Sequence, residues 1–412
     1  MLHTDEIRRQ FPILRSGEVI YLDSAATAQK PQMVLDAMDL FHTTENANVH
    51  RGMHMLAEKA TIAYEEARKT VAQFINAATF ETIFTHGCTE SINLVAKSWG
   101  AANLQKGDKV ALSILEHHSN IVPWLQLKEE IGIEIQWIDI NDKGELIVDT
   151  EGVPFGDNFD GVKLVAITGC SNVLGVKPDL ESIITKAHDA GAKVLVDAAQ
   201  LVVHQKIDVQ KLDCDFLTFS GHKLYGPTGI GVLYGKRELL ESMPAFLGGG
   251  MMIGHVTKEG FTSTEIPAKF EAGTPPVAQA IGLKAAIDWL TQFSWDDIHT
   301  HEEKLLLDAH EALKSIKDIS ILCDSNYASR ITNHEIAGCL SFTIDGIHPH
   351  DLTEIIGRKG VCLRAGHHCT QPLHERLGVN ATTRLSIGIY NTKEDIQRAV
   401  KEINDAIQIL KK

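Results

Sequence analysis

The chain has 412 residues, 44% of them hydrophobic and 23% charged, and its 39 basic and 54 acidic side chains give a net charge of −15. That length exceeds one compact core and predicts two domains, or one large domain with an appendage, while the composition is that of an ordinary soluble globular protein. So large an acid excess repels phosphate backbones and argues against nucleic acid as a partner, yet it leaves room for phosphate held by backbone N–H groups at a helix start.

The N-terminus, Met1 to Ser16, alternates charged and apolar residues. Neither it nor any later stretch reads as a signal peptide or membrane span, so no membrane partner and a cytoplasmic location are expected. Seven cysteines stand at 88, 170, 214, 323, 339, 362 and 369. Their odd number, wide spacing and lack of any Cys-x-x-Cys argue against a disulfide framework or zinc ribbon and for a reducing compartment.

In chain order, Met55–Ile75 reads as a helix, with Leu56, Ala60, Ala63, Ala67, Val71 and Phe74 along one side. Val110–Leu115, Leu164–Thr168, Val194–Val196 and Asp215–Phe219 read as buried strands with helical patterns between them. That alternation predicts a largely parallel sheet with helices on both faces. Gly248–Pro276 is rich in Gly, Thr and Pro and reads as a long functional excursion, with a hairpin inside it. Val277–Phe293 is helical again. The remainder alternates helix and strand and ends in Thr392–Leu410, where Ile396, Val400, Ile403, Ile407 and Leu410 form a stripe behind a Thr392 cap. This predicts a smaller α/β domain packed on the first.

Ligands of open parallel sheets bind beyond the carboxyl ends of the strands, so the residues that follow each apolar run carry the chemistry. The first stretch, Glu81-Thr-Ile-Phe-Thr-His-Gly87-Cys-Thr89-Glu90, enters a helix, Ser91–Trp99. This is either a phosphate cradle or a helix capped by Thr89. After Val110–Leu115 comes Glu116-His117-His118, where a ring could stack on a flat cofactor or simply lie on the surface. After Leu164–Thr168 comes Ser171-Asn172, a site group or a turn. Asp197, at the end of an apolar strand, needs a positive or donor partner. A protonated pyridine nitrogen would serve, and the cap of the next helix is the alternative. The fifth run leads into Ser220-Gly221-His222-Lys223, a lysine in a Gly-rich turn just beyond a buried strand. Such a lysine can have its pKa lowered and form a Schiff base, with Ser220 and His222 as flanking phosphate donors. The sixth, Arg364-Ala-Gly-His367-His368-Cys369-Thr-Gln-Pro372, puts a cysteine on an accessible loop. Arg364, His367 and His368 would favour its thiolate. The alternatives are an incidental cysteine or a metal held with His348 and His350, for which adjacent His-His-Cys is poor geometry.

Taken together, Tyr21-Leu-Asp-Ser-Ala-Ala26, Asn48-Val-His-Arg-Gly52, Ser171-Asn-Val-Leu-Gly175, Ser220-Gly-His-Lys-Leu-Tyr-Gly-Pro227, Phe270-Glu-Ala-Gly-Thr-Pro275 and Arg364-Ala-Gly-His-His-Cys369 resemble, in order, the blocks of the Suf-type (group II) cysteine desulfurases. These form part of the class V branch of fold-type I pyridoxal-phosphate enzymes, and the likeness covers essentially the whole chain. It implies a mostly parallel seven-stranded-type sheet in a large domain, 20–290. A smaller α/β domain, 1–19 with 291–412, would carry the cysteine loop.

The resemblance assigns Lys223 to the Schiff-base lysine, Asp197 to the pyridine-nitrogen partner, Gln200 to the donor to the ring hydroxyl and His117 to the stacking ring. Thr89, Ser220 and His222 resemble phosphate ligands, and Thr274 would reach the phosphate of a neighbouring subunit, implying a homodimer. Arg51 is similar to an arginine lent across that interface. Asn172 and Arg384 would hold the carboxylate of L-cysteine, and Cys369 would carry the persulfide. No metal is implied. Two departures stand out. Cys88 replaces a usual threonine beside the phosphate, where its backbone N–H still serves. Cys170 precedes Ser171 as a packing substitution or a second oxidisable thiol. His348-Pro-His350-Asp351, ahead of a helix Asp351–Lys359, resembles members served by a zinc-containing SufU-like acceptor; others use a SufE-like acceptor. A selenocysteine lyase, another β-eliminating lyase, or a persulfide carrier without turnover are the alternatives.

Overall fold

The computed structural model describes residues 2–148, 159 and 161–411; Met1 and Lys412, the outermost residues of the expected smaller domain, lie outside them. Seven strands form the main sheet, in the spatial order Thr82–Thr85, Gly231–Gly235, Phe216–Ser220, Lys193–Asp197, Val162–Thr168, Lys109–Ser113 and Glu134–Ile138. Gly231–Gly235 is antiparallel to both its neighbours and every other pairing is parallel. The mostly parallel sheet read from the sequence is therefore present. Its strands read as short apolar runs because helices cover both faces: Leu164 to Ile167 and Val194 to Val196 are fully buried.

The helix Met55–Phe74 lies against one face. Its buried side differs from the expected stripe: Ala57, Ala60, Tyr64, Ala67, Arg68 and Val71 face inward, whereas Leu56 is exposed. Small alanines let this helix approach Val277–Leu290 closely, and Arg68 is admitted because it is paired. Both guanidinium nitrogens Nη1 and Nη2 meet Glu271, at 2.6 and 2.8 Å. Glu271 closes the Gly248–Pro276 excursion, which does contain a hairpin, Ile253–Val256 against Phe261–Ser263.

A second sheet of four antiparallel strands has the order Ile319–Ile321, Cys339–Ile344, Thr382–Ser386 and Arg364–Gly366. Trp295–Lys314, Pro349–Gly357 and Lys393–Leu410 cover it. The last helix begins at the expected cap: Thr392 Oγ1 accepts from Asp395 N, and the Asp395 carboxylate answers Thr392 N. Near the N-terminus, Phe11 packs edge-on against Tyr225, Trp289 and Tyr390, with ring centroids 6.1, 5.3 and 4.7 Å away. This aromatic knot ties the two sheets' units together. No described helix is long and apolar enough to cross a membrane.

Candidate active site

A cavity of about 240 Å³ opens where the carboxyl ends of the main strands meet the smaller sheet. Lys223 and Asp197 line it from two adjacent strand ends, and Cys369 and Arg384 line it from the opposite side. Asp197 ends the strand Lys193–Asp197 and is 5% exposed. Its Oδ1 accepts from Ala199 N at 2.9 Å and from Cys88 Sγ at 3.3 Å. Cys88 also lies 3.1 Å from Thr218 Oγ1, so the thiol occupies a polar niche, and burial pushes its pKa well up.

Lys223 follows Ser220 in a single tight turn, Gly221–Lys223. Its amine makes no hydrogen bond or ion pair with any described residue, and burial draws its pKa down against the pull of Asp197. The preceding carbonyl, that of His222, is held by three donors: Ala28 N at 3.0 Å, Thr27 Oγ1 at 3.3 Å and Lys30 Nζ at 3.2 Å. The turn is thus fixed while the amine at its end stays free, which suits a nucleophilic lysine.

His117 and the loop before Cys88 form the next wall. His117 Nδ1 accepts from Ser119 N at 3.1 Å, so the ring hydrogen sits on Nε2. Burial first, and then Lys223, push its pKa down to about 3, leaving a neutral flat ring. Thr89 Oγ1 lies 2.7 Å from Ser119 Oγ, and Cys88 N donates to Ser220 Oγ at 2.8 Å. His222, in the same wall, is pushed down to about 4 by burial. Gly231 passes beneath this loop. A Cβ there would come within 2.4 Å of Gly87 Cα, so glycine is what allows the approach. A cradle of hydroxyls and backbone N–H groups, a free buried-side amine, a neutral ring and a buried carboxylate together fit a phosphorylated pyridine aldehyde.

Arg384 is 2% exposed. Its Nη1 donates to Asn172 O and its Nη2 to Asp23 Oδ1, both at 2.9 Å, while Nε is buried without a partner among the described residues. Asp23, which sequence reasoning did not single out, also lies 3.7 Å from Arg364 Nη1. The only signal for it was its place in the Tyr21-Leu-Asp-Ser block. Cys369 is exposed, and it and His368 both have left-handed backbones, at φ 58° and 52°. His118 N donates to Cys369 O at 2.7 Å. Asn172 Nδ2 donates to His368 O at 2.6 Å, and Thr370 Oγ1 donates to Asn172 Oδ1 at 3.0 Å.

Not every expected residue reaches the cavity. Gln200 Nε2 is spent on Ala25 O at 2.7 Å. Thr274 and Arg51 are exposed and lie outside its walls within one chain. Cys170 is buried behind the wall, with Sγ 3.4 Å from Gly175 O, and burial pushes its pKa far up. One expectation is corrected: His368 cannot favour a thiolate by its charge. Burial and Arg384 push its pKa down to about 2, and it stays neutral. Among the described residues no three His, Cys, Asp or Glu side chains converge to hold a metal.

The sheet order and this cavity define a pyridoxal-phosphate enzyme of fold type I. The aminotransferase class-V family matches residues 20–399, and the chain belongs to that family. A probable cysteine desulfurase of Vibrio cholerae is 43% identical over 415 residues, covering 100% of both chains. One from Staphylococcus aureus is 44% identical over 404 residues, 97% of this chain and 95% of that one. Among solved structures, a cysteine desulfurase of Escherichia coli aligns at TM-score 0.88 and 40% identity, covering 99% of each chain. The cysteine desulfurase of Thermococcus onnurineus aligns at 0.91 and 37%, also covering 99% of each.

Proposed function

We propose that the protein is a pyridoxal-phosphate-dependent cysteine desulfurase. It converts L-cysteine to L-alanine and carries the sulfur away as a persulfide on Cys369, for iron–sulfur cluster assembly. The observation that carries this reading is one cavity with an unpaired lysine amine and a buried carboxylate on its floor and an exposed cysteine on its rim.

Lys223 Nζ is the amine that would hold the cofactor's aldehyde carbon. Asp197 would pair with the pyridine nitrogen and His117 would cover the ring, while Thr89, Ser220, His222 and the backbone at Cys88 would take the phosphate. Gln200, if its amide turns from Ala25, adds a donor to the ring hydroxyl. Pyridoxal phosphate, when bound, supplies a sink for the electrons of the substrate's Cα–H bond. Arg384, which lines the cavity, would hold the substrate carboxylate with Asn172 beside it. Lys223, once released, takes the Cα proton as general base. Cys369 Sγ then attacks the substrate sulfur. A new S–S bond forms as the S–Cβ bond breaks, the pair left on Cβ takes a proton, and Lys223 returns a proton to Cα, so that alanine leaves.

The reading extends to a cytoplasmic homodimer in which Thr274 and Arg51 complete the neighbour's site; all seven cysteines are free thiols, as a reducing compartment requires. Residues 20–290 act as the cofactor domain, and 1–19 with 291–412 as the domain bearing Cys369. The sulfur acceptor is a SufU-like or SufE-like protein. The SufU-like choice is supported by His350, whose Nε2 would lie 3.8 Å from a Cβ at Gly366, on the cysteine loop itself.

The test is direct. Protein supplied with the cofactor turns yellow, borohydride fixes the pyridoxyl group on Lys223, and L-cysteine with a reductant yields alanine and sulfide. A colourless protein with no adduct at Lys223 and no alanine rejects the proposal.

A further inference from the structure

Beneath the cysteine loop runs a chain of hydrogen bonds that the proposed chemistry does not use. It starts at Thr370 O, which lies 2.9 Å from His374 Nδ1. A carbonyl only accepts, so Nδ1 bears the hydrogen. Burial draws His374 down, so the ring is neutral and Nε2 is a bare lone pair. Thr382 Oγ1, 3.1 Å from that Nε2, therefore gives its single hydrogen there rather than to the more distant Gly366 O at 3.5 Å. The same oxygen is left as acceptor to His368 Nε2 at 2.9 Å. His368 Nδ1 ends the chain as a buried lone pair without a partner among the described residues. Each hydrogen in the chain has one position.

These residues sit where the loop is strained. His368 and Cys369 are consecutive left-handed residues and neither is glycine. Such backbone persists only where its surroundings over-determine it. The carbonyls of the pair are held by Asn172 and His118, but the His368 ring is hydrogen-bonded by Thr382 alone. Thr382 in turn pairs in register with Gly366, at the start of the same loop.

We propose that Thr382, His374 and His368 are positioning residues for Cys369, holding the 368–369 pair in the conformation that sets Cys369 into the cavity wall. Thr382 and His374 lie outside that wall. His368 lines it but does not serve as the base for Cys369: a ring this buried beside Arg384 is too weak to draw a proton from a thiol. The consequence for sulfur transfer rests on the desulfurase reading; the hold on the loop does not.

The experiment compares wild type, Thr382→Ser, Thr382→Val and His374→Leu as full-length, cofactor-loaded protein. Iodoacetamide alkylation is followed cysteine by cysteine by mass spectrometry, with the buried Cys88, Cys170, Cys214 and Cys339 as internal controls. Persulfide formation on Cys369 is followed in a single turnover with L-cysteine. Thr382→Val and His374→Leu should alkylate faster at Cys369 only and form persulfide about 10- to 100-fold more slowly, the scale of a small misplacement of a reacting group. Cofactor colour should not change, and Thr382→Ser should behave as wild type. Equal rates in all four proteins overturn the proposal. So does faster labelling of the buried cysteines too, or faster labelling of Cys369 with undiminished persulfide formation. If wild type forms no persulfide, the desulfurase reading falls, and the alkylation rates still decide whether the chain of hydrogen bonds holds the loop.

Discussion

The floor and the rim of the cavity are built by opposite means. On the floor, Asp197 and Lys223 stand at the ends of parallel strands, and their positions follow from the backbone of a sheet buried on both faces. On the rim, Cys369 hangs from a short antiparallel sheet, in a left-handed kink, and is held by the Asn172 side chain and the His118 backbone N–H, from distant parts of the chain. Burial sets the floor's charges, lowering Lys223 and His117. Hydrogen-bond geometry sets the rim. The difference matches two tasks: groups that tune a bound ring need a fixed, dry place, whereas a thiol that reacts needs access.

The sharpest way to break the comparison is to delete one member from each side. Lys223→Ala should remove both colour and turnover. Cys369→Ala should keep the colour and lose alanine formation from cysteine, in each case by about three orders of magnitude or more. Absorption spectra and alanine assays read the two separately. Full turnover by the Cys369 variant would remove the rim from the chemistry altogether.

A smaller effect sharpens the floor. Glu116, next to His117 in the chain, is fully buried and accepts from Ser113 Oγ at 2.6 Å, Asn120 Nδ2 at 2.6 Å and Thr168 N at 2.9 Å. Burial outweighs those donors and pushes its pKa from 4.5 up to about 8. The folded chain therefore keeps a proton that the unfolded chain releases above about pH 4.5. The stability it contributes is complete below 4.5 and drains as pH rises through 8. Glu116→Gln should flatten that decline, by up to about 1.4 kcal/mol per pH unit. His117 titrates the other way, from 6.5 down to about 3, so stability from that ring is lost on acidification. The difference between variant and wild type in urea unfolding, taken at several pH values, isolates Glu116. Parallel curves would show that the carboxyl is already ionised.

The floor was legible in the sequence because its signal is local. An apolar run followed within four residues by Asp, His or Lys is readable without knowing the fold, and Asp197, His117 and Lys223 were all found that way. Cys369 was legible as a polar, proline-bounded loop. What could not be read was the partner each side chain chose across the fold. Asp23 meets Arg384 and Gln200 meets Ala25 O at separations of 361 and 175 residues. No period or spacing encodes such a pairing. Leu56 failed for a related reason: a helical stripe shows which residues share a side, not where along the helix its cover ends.

Asn172 tests both kinds of knowledge at once. The family resemblance gives it to the substrate carboxylate, yet both ends of its amide are engaged on the rim, with His368 O and Thr370 Oγ1. If the amide is chiefly a tie for the loop, Asn172→Ala removes both of its hydrogen bonds and leaves His368 O and Thr370 Oγ1 only their own 3.4 Å contact, a local cost of about 1–2 kcal/mol. The amides of 367–370 should then exchange hydrogen faster and Cys369 should alkylate faster, with KM for L-cysteine little changed and kcat reduced. If it chiefly binds substrate, KM rises, while exchange and alkylation stay as in wild type. The backbone carbonyl of residue 172 survives the substitution and still receives Arg384 Nη1. Arg384 should therefore stay in place in either case, and the split between KM and kcat reports the amide alone.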